Sequence, residues 1–315
     1  MVPAAEYVGR MRFPYRPLLF AAICLIWGTT WAATKLGVDA VPPMLFAGTR
    51  FVAAGCVVLA WNWTHRARRG RMLPRADLPR LLISALLLIP LTYAPLYWGL
   101  RVIPSGLAAV LNSALTPLIM LLLGIALGED RFSRRQAIAI AIGVVGLVLL
   151  FRPAIEAIGR ADRLLTLGMV AVVAATFASC AGAVLARPLL ARHPAALLSG
   201  LTYLSGGLAM LVVSLAFEPG ARAATDGAWG FPAWLGWLYI TIFGTLVGYT
   251  FYFVLLRDWG PSGSASYAFI VPIIAVISGV LAFGETITWS EATGMGLVLA
   301  GAALVLGVRT QVPRA

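Results

Sequence analysis

The chain reads as an all-α integral membrane protein of ten transmembrane helices, arranged as two inverted five-helix repeats. Three observations predict this. Of its 315 residues 61% are hydrophobic and 11% are charged, with a mean hydropathy of +0.91, well outside the make-up of ordinary soluble domains. The apolar residues gather into ten runs, at 18–38, 44–63, 81–100, 105–128, 136–152, 166–186, 195–217, 233–256, 262–284 and 291–308. Most are close to the roughly 20 residues that cross a hydrocarbon core of about 30 Å. Finally, the sequence repeats itself. Residues 104–129 (PSGLAAVLNSALTPLIMLLLGIALGE) and 261–285 (PSGSASYAFIVPIIAVISGVLAFGE) both open on Pro-Ser-Gly, carry one internal proline (Pro117, Pro272) and close on Gly-Glu. Tyr93 and Tyr249, Arg101 and Arg257, and Glu129 and Glu285 share one spacing of 156 residues, about half the chain.

Runs of this length satisfy their own backbone in lipid only as helices, since barrel strands are shorter and alternate. The first run holds Trp27-Gly28, then Lys35; it is too long for a signal-peptide core and reads as an anchor. The second opens on Pro42-Pro43, continues through Arg50-Phe51 and stops before the basic cluster HRARRGR at 65–71. The third carries Tyr93 and Tyr97, and the fourth is the first Pro-Ser-Gly copy. Gly143 and Gly146 mark the fifth as a close-packing helix, which ends at Arg152-Pro153. In the second half, the sixth run ends on Ser179–Arg187 without a Trp-Gly, and the seventh has Thr202 where the repeat would place an arginine. The eighth contains Tyr249 and Tyr252, the ninth is the second Pro-Ser-Gly copy, and the tenth has Gly294 and Gly301. Only short loops separate them, the longest near 64–80 and 218–232, so no separate soluble domain fits.

Net charge is +12, which in a soluble chain would suggest nucleic acid. With the N-terminus inside, 17 of the 24 basic residues fall on the cytoplasmic side, 5 outside, and Lys35 and Arg50 within runs. The positive-inside rule therefore accounts for the charge, places both termini in the cytoplasm, and leaves no nucleic-acid partner to invoke. Cys24, Cys56 and Cys180 lie in apolar runs without CxxC spacing or a histidine pair, so neither a disulfide framework nor a metal site is expected. The expected organisation is a cytoplasmic segment 1–17, a five-helix repeat 18–152, an outer linker 153–165, a second repeat 166–308 and a cytoplasmic tail 309–315. An odd number of spans per half starts the second copy on the opposite side, so the halves relate by a twofold axis in the membrane plane.

Trp27-Gly28 with Lys35, Pro42-Pro43 with Arg50-Phe51, and two Gly-Glu segments each followed by a glycine-spaced helix together resemble the drug/metabolite transporter superfamily. The match is to its EamA-type ten-helix members, over about residues 18–308. The resemblance implies a helical bundle with a central cavity and transport of small metabolites, often amino-acid export. YddG-type amino-acid exporters are the nearest group.

All twelve Asp and Glu residues fall at run ends or in loops, and His65 and His193 lie in connections. An intramembrane enzyme would need a nucleophile with a base or a metal cluster, so no enzyme and no cofactor is expected. The same absence disfavours permanently cationic solutes, which want a carboxylate partner at the midplane. Polar and aromatic residues recur at helical spacing: Trp27, Thr30, Trp31 and Thr34; Tyr93 and Tyr97; Asn112 and Thr116; Tyr249 and Tyr252; and Tyr267. These are the candidate substrate-binding residues. The alternative for each is interhelical packing. Lys35 and Arg50 are candidates for attracting a substrate carboxylate from the outer half, against snorkelling or pairing with Asp39. Pro117 and Pro272 are candidate hinges or kinks.

The expectation is a multi-pass exporter in a bacterial inner membrane. It would move neutral or zwitterionic metabolites, amino acids with aromatic ones among them, by alternating access and facilitated diffusion. Its partners would be the solute and membrane lipids, with no obligate protein partner. The alternatives are another solute class (purines, hydrophobic drugs, lipid-like molecules) and, behind that, a membrane enzyme or scaffold.

Overall fold

The computed structural model describes residues 15–65, 73–126, 134, 138, 141–146, 148–149, 163–248, 251–252, 254–255 and 267–309. Every regular element among the described residues is helical. The helices are α1 (Tyr15–Ala40), α2 (Pro43–His65), α3 (Leu78–Leu88), α4 (Pro90–Val102), α5 (Ser105–Ala126), α6 (Arg163–Arg192), α7 (Ala195–Phe217), α8 (Phe231–Tyr239), α9 (Tyr267–Phe283) and α10 (Trp289–Arg309). Among the described residues, five helical stretches are long and apolar enough to cross a membrane: Arg16–Ala40, Pro43–Thr64, Arg75–Val102, Arg163–Leu190 and Ala195–Phe217. Large apolar side chains such as Leu18, Trp63, Val212, Leu281 and Trp289 point outward. Water would make such a surface a liability, whereas lipid tails are its natural solvent.

Two stretches depart from simple helices. The third run breaks at Ile89, between α3 and α4, because Pro90 has no N–H to continue the ladder. Thr92 Oγ1 donates to Leu87 O at 2.7 Å, so a carbonyl beside the break keeps a partner. The helices α5 and α9 continue past Pro117 and Pro272 without such a break. In the eighth run α8 passes directly into a π-helix over Ile240–Val247. Thr245 Oγ1 reaches back five residues to Ile240 O at 3.2 Å. Such insertions are uncommon and concentrate at functional sites.

The two halves of the chain interleave. α2 packs most extensively on α7, α3 and α4 on α6, α1 and α5 on α9, α1 also on α8, and α5 on α10. Glycine permits the closest of these approaches. A Cβ at Gly55 would stand 2.6 Å from the Leu204 nitrogen, and one at Gly207 would stand 2.8 Å from the Val52 nitrogen. Here α2 and α7 touch backbone to backbone. The main core, with Phe46, Leu100, Ile103, Leu111, Met169 and Met210 fully covered, gathers side chains from both halves.

The two ends of the bundle are built differently. At one end, two helix N-termini are closed by carboxylates from helices of the other half. Glu218, just after α7, accepts from Met44 N at 2.9 Å and Leu45 N at 3.0 Å, the first amides of α2, while Ser214 Oγ donates to it at 2.6 Å. Glu285, just after α9, accepts from Ser105 N at 2.7 Å, Ser105 Oγ at 3.0 Å and Gly106 N at 3.3 Å at the start of α5. These amides have no intrahelical partner, and a carboxylate suits both their hydrogen bonds and the helix dipole. The loop after α7 folds over this end. Its Trp229 stacks on Trp234 at 4.4 Å, lies 6.1 Å from Phe46 and donates Nε1–H to Ala224 O. At the opposite end, Asp77 pairs with Arg192 at 2.9 Å and His193 at 2.7 Å, joining the start of α3 to the end of α6.

Glu218→Ala is expected to lower the unfolding free energy by about 1–3 kcal/mol, the cost of leaving buried amides unpaired. Glu218→Gln, which keeps one acceptor oxygen, should recover part of that loss. Thermal unfolding of the purified protein in detergent reads this directly; an unchanged midpoint for Glu218→Ala would show the cap to be dispensable.

Candidate functional site

Four residues of α1 define one wall of the site. Trp27, Thr30, Trp31 and Thr34 recur at the spacing of one helix face. Their hydroxyls are satisfied locally, Thr30 donating to Trp27 O at 2.7 Å and Thr34 to Thr30 O at 2.6 Å. This back-bonding lets a polar face sit inside an apolar bundle without orphaned donors. That face borders a cavity of about 420 Å³ between α1, α2, α4, α5, α6, the π-helix and α9.

Most of the residues singled out from sequence meet at this cavity. Trp27, Thr30, Trp31, Tyr93, Tyr97, Asn112, Thr116, Tyr252 and Tyr267 all line it, as does Arg50. Tyr249 lies outside the described residues. The aromatic rings form two groups. Trp27, Tyr252 and Tyr267 pack with centroids 4.7–5.7 Å apart. Phe51, Tyr93 and Tyr97 form the other, with Phe51–Tyr93 at 4.6 Å and Tyr93–Tyr97 at 5.4 Å, both edge-on. Both groups border the cavity, and aromatic surface of this kind suits an apolar solute.

Polar atoms stand between the rings. Asn112 Nδ2 donates to Thr176 Oγ1 at 3.1 Å, and Thr116 Oγ1 donates to Asn112 O at 2.7 Å. Trp27 Nε1 donates to Gly244 O at 3.0 Å, tying α1 to the π-helix. Phe51, Thr92, Ser113, Ser179, Gly244 and Thr245 also line the cavity without having been anticipated, with apolar Leu96, Leu100, Ile240 and Val271. Phe51 and Thr245 are the consequential omissions. Phe51 follows Arg50 directly and reads as an ordinary apolar residue, while Thr245 reaches the cavity because of the π-helix, which no periodicity announces.

The two cations separate. Lys35 does not border the cavity: its ammonium ion-pairs with Glu285 at 3.6 Å and donates to Ile103 O at 3.2 Å. That carboxylate belongs to the protein, so the geometry places Lys35 beside the Glu285 cap of α5. Arg50 has turned fully inward. It is 3% exposed, neither snorkelling nor paired with Asp39, and its Nη1 donates to Thr245 Oγ1 at 3.1 Å. Its guanidinium carbon lies 4.1, 5.2 and 5.9 Å from the ring centroids of Phe51, Tyr93 and Tyr97. Pro117 lies within α5, and Pro272 is buried in α9 without bordering the cavity. Among the described residues no group of three metal-ligating side chains comes together.

A second, smaller cavity of about 200 Å³ adjoins the first toward the Asp77–Arg192 end, bounded by Leu81, Ser84, Leu189, Leu198, Thr202 and Tyr203 among others. The two share Phe51, Tyr93 and Ser179. Phe51 and Tyr93 are thus the partition between them.

The EamA-like transporter family matches this chain over residues 16–152 and again over 166–307. Among similar proteins is one of Escherichia coli K12 named as the uncharacterized inner membrane transporter YedA, 28% identical over 303 residues, covering 94% of this chain and 92% of that one. Another, from Salmonella typhimurium LT2, is named as a probable amino-acid metabolite efflux pump and is 26% identical over 285 residues, with 89% and 90% covered. Protein PecM of Dickeya dadantii is 27% identical over 291 residues, with 91% and 90% covered. A crystal structure of a protein 19% identical superposes with a TM-score of 0.62 over 95% of this chain and 99% of that one. At that identity the superposition speaks for the fold.

Thr245→Val tests the arginine's anchorage. Removing the hydroxyl leaves a third guanidinium nitrogen without its partner, at an expected cost of about 1.5–3 kcal/mol for a hydrogen bond to a charged group. Thr245→Ser should restore the wild-type unfolding midpoint in detergent. Equal midpoints for Thr245→Val and wild type would mean that Arg50 is held by its aromatic neighbours alone.

Proposed function

Because the chain belongs to the EamA-like transporter family, it is a membrane transporter and not an enzyme, and we propose that it exports small neutral or zwitterionic metabolites, amino acids with aromatic ones among them. The observation that carries this reading is the lining of the central cavity. It combines two aromatic groups, an amide and several hydroxyls with one guanidinium, and includes no Asp, Glu or His among the described residues. Its volume of about 420 Å³ lies within the usual range for small-molecule sites of about 300–1,000 Å³. Rings suit the apolar part of an amino acid, and the amide and hydroxyls suit its polar end. The name of the Salmonella relative supports amino-acid metabolites. That of the Escherichia coli relative supports the inner membrane as the location.

The transport cycle we propose is alternating access between two five-span halves of opposite orientation. The split of the family match at 152 and 166 and the odd span count read from the sequence support such an arrangement. With both termini in the cytoplasm, the end capped by Glu218 and Glu285 faces outward. The bundle is then shut on the outside, while the smaller cavity extends the binding space toward the cytoplasm, where substrate enters. Opening outward requires the carboxylate caps and the Trp229 loop to part and the Asp77 end to close.

Energy coupling follows from the same lining. A proton-driven carrier generally uses a titratable group whose protonation biases one conformation. Of the described carboxylates near the bundle ends, Glu218 and Glu285 cap helices and Asp77 holds Arg192 and His193, while Asp39 is exposed at the end of α1 and does not border the cavity. The solute therefore runs down its own gradient, and accumulation inside the cell drives its export.

Purified protein in proteoliposomes should carry labelled neutral amino acids, and Tyr93→Ala, Asn112→Ala and Tyr252→Ala should each cut that flux at least tenfold while reconstituting normally. If all three transport like wild type, the substrate uses another route; if flux is confined to purines or lipid-like solutes, the substrate class is wrong. A pH gradient imposed with equal substrate on both sides should produce no net accumulation. Uphill uptake abolished by a protonophore would overturn facilitated diffusion.

A further inference from the structure

Arg50 presents an electrostatic problem that the rest of the bundle does not solve. It is 3% exposed, and it lines the central cavity. Nη1 is used by Thr245, whereas Nε and Nη2 are buried without any hydrogen-bond partner. No described carboxylate lies within ion-pair distance of it. The rings of Phe51, Tyr93 and Tyr97 provide its compensation, and ring quadrupoles stabilise a cation without satisfying its N–H groups. A buried charge with idle donors is costly. Such a group in a cavity wall is explained by a ligand that supplies the missing acceptors.

The two idle nitrogens are not a random pair. Nε and Nη2 form one edge of the guanidinium fork, with parallel N–H bonds spaced for the two oxygens of a carboxylate. Thr245 holds the opposite side and fixes the plane. Building on the reading of the cavity as the transport site, we propose that Arg50 is the specificity-determining seat for a substrate carboxylate, which docks bidentately on the Nε–Nη2 edge. The substrate class is therefore restricted to solutes bearing one carboxylate. A neutral amide or an amine lacking that group leaves the edge unpaired and is rejected.

The same arrangement links binding to movement. The idle edge is buried, and the guanidinium is flanked by the rings of Phe51, Tyr93 and Tyr97. A carboxylate reaches it only when these rings part. Phe51 and Tyr93 are also the partition between the central and the smaller cavity. Capture of the carboxylate thus shifts the side chains that divide the cavities, which gives the ligand different contacts in different states, as a conformational shift requires.

The test uses four matched probes, phenylalanine, phenylalaninamide, phenethylamine and 3-phenylpropionate, with the leucine series alongside. Binding is measured by quenching of intrinsic tryptophan fluorescence, and flux in proteoliposomes. Wild type is expected to favour the carboxylate-bearing probes by about 10- to 100-fold, the range for charge-assisted pairs. Arg50→Gln should bring that ratio close to one, and Arg50→Lys, a point charge without the fork, should keep only part of it. Unfolding midpoints and gel-filtration profiles identify any variant that fails to fold; Thr245→Val, which spares the charge but loosens its plane, then provides the second reading with a smaller loss of preference. Equal wild-type affinity for phenylalanine and its amide, or an undiminished preference in folded Arg50→Gln, overturns the proposal while leaving amino-acid transport standing. Transport of 3-phenylpropionate but no amino acid, lost in Arg50→Gln, would uphold the seat and overturn the amino-acid reading. No binding or flux for any probe overturns both.

Discussion

In hydrocarbon a polar group has no water to return to, so each one needs a partner built by the protein or a cavity that supplies one. This constraint governs most of what is specific about the bundle. Threonine hydroxyls bond back to their own helices, as Thr30, Thr34, Thr116 and Thr176 do. The break at Ile89 is tolerated with Thr92 donating to a carbonyl beside it. The first amides of α2 and α5 are met by Glu218 and Glu285. Against that background the two idle nitrogens of Arg50 stand out. Lys35, Asp77, Glu218 and Glu285 each have a counterpart in the chain; the idle edge of Arg50 is buried beside the central cavity.

The carboxylate caps also explain how the halves are joined. Glu218 follows α7 yet caps α2, and Glu285 follows α9 yet caps α5. Each bond therefore crosses between the halves. Hydrophobic burial adds little to helix association in lipid, where the tails are as apolar as leucine, so close packing and such polar contacts must hold the interface. The backbone approach at Gly55 and Gly207 supplies the packing. Both caps lie at one end of the bundle. Lys35 belongs to the same arrangement, its charge balanced by Glu285. The central cavity occupies the seam between the halves, which is where relative movement of the two would alter access.

Much of the site was legible from residue spacing. Trp27, Thr30 and Trp31 on α1, Tyr93 and Tyr97 on α4, and Asn112 and Thr116 on α5 are polar or aromatic at helical intervals within apolar runs. Such positions have few destinations besides a cavity or an interhelical contact, and the structure brings these seven to one cavity. Spacing could not separate the two cations. Lys35 and Arg50 both sit near the ends of their runs, and depth along a helix does not say whether a side chain turns toward lipid, toward another helix or inward. Trp229 and Trp237 show the same limit. Nothing in their spacing reveals that their indoles bond Ala224 O and Thr49 Oγ1.

Composition and repetition alone determined that this chain is helical, lies in a membrane and is built from related halves, because a bilayer leaves few ways to satisfy some 20 consecutive apolar residues. The family followed from motifs dense enough to mark both halves. What only the tertiary structure decided is the pairing of groups far apart in the chain: Glu218 with α2, Glu285 with Lys35 and α5, Thr245 with Arg50. Helical periodicity states which residues share a face and nothing about which face meets which. That choice depends on how the two halves dock, on the glycines that let them approach and on a π-helix that rotates Thr245 into place. The partner of each buried polar group is a property of that docking, and so is the inward turn of Arg50 to the wall of the central cavity.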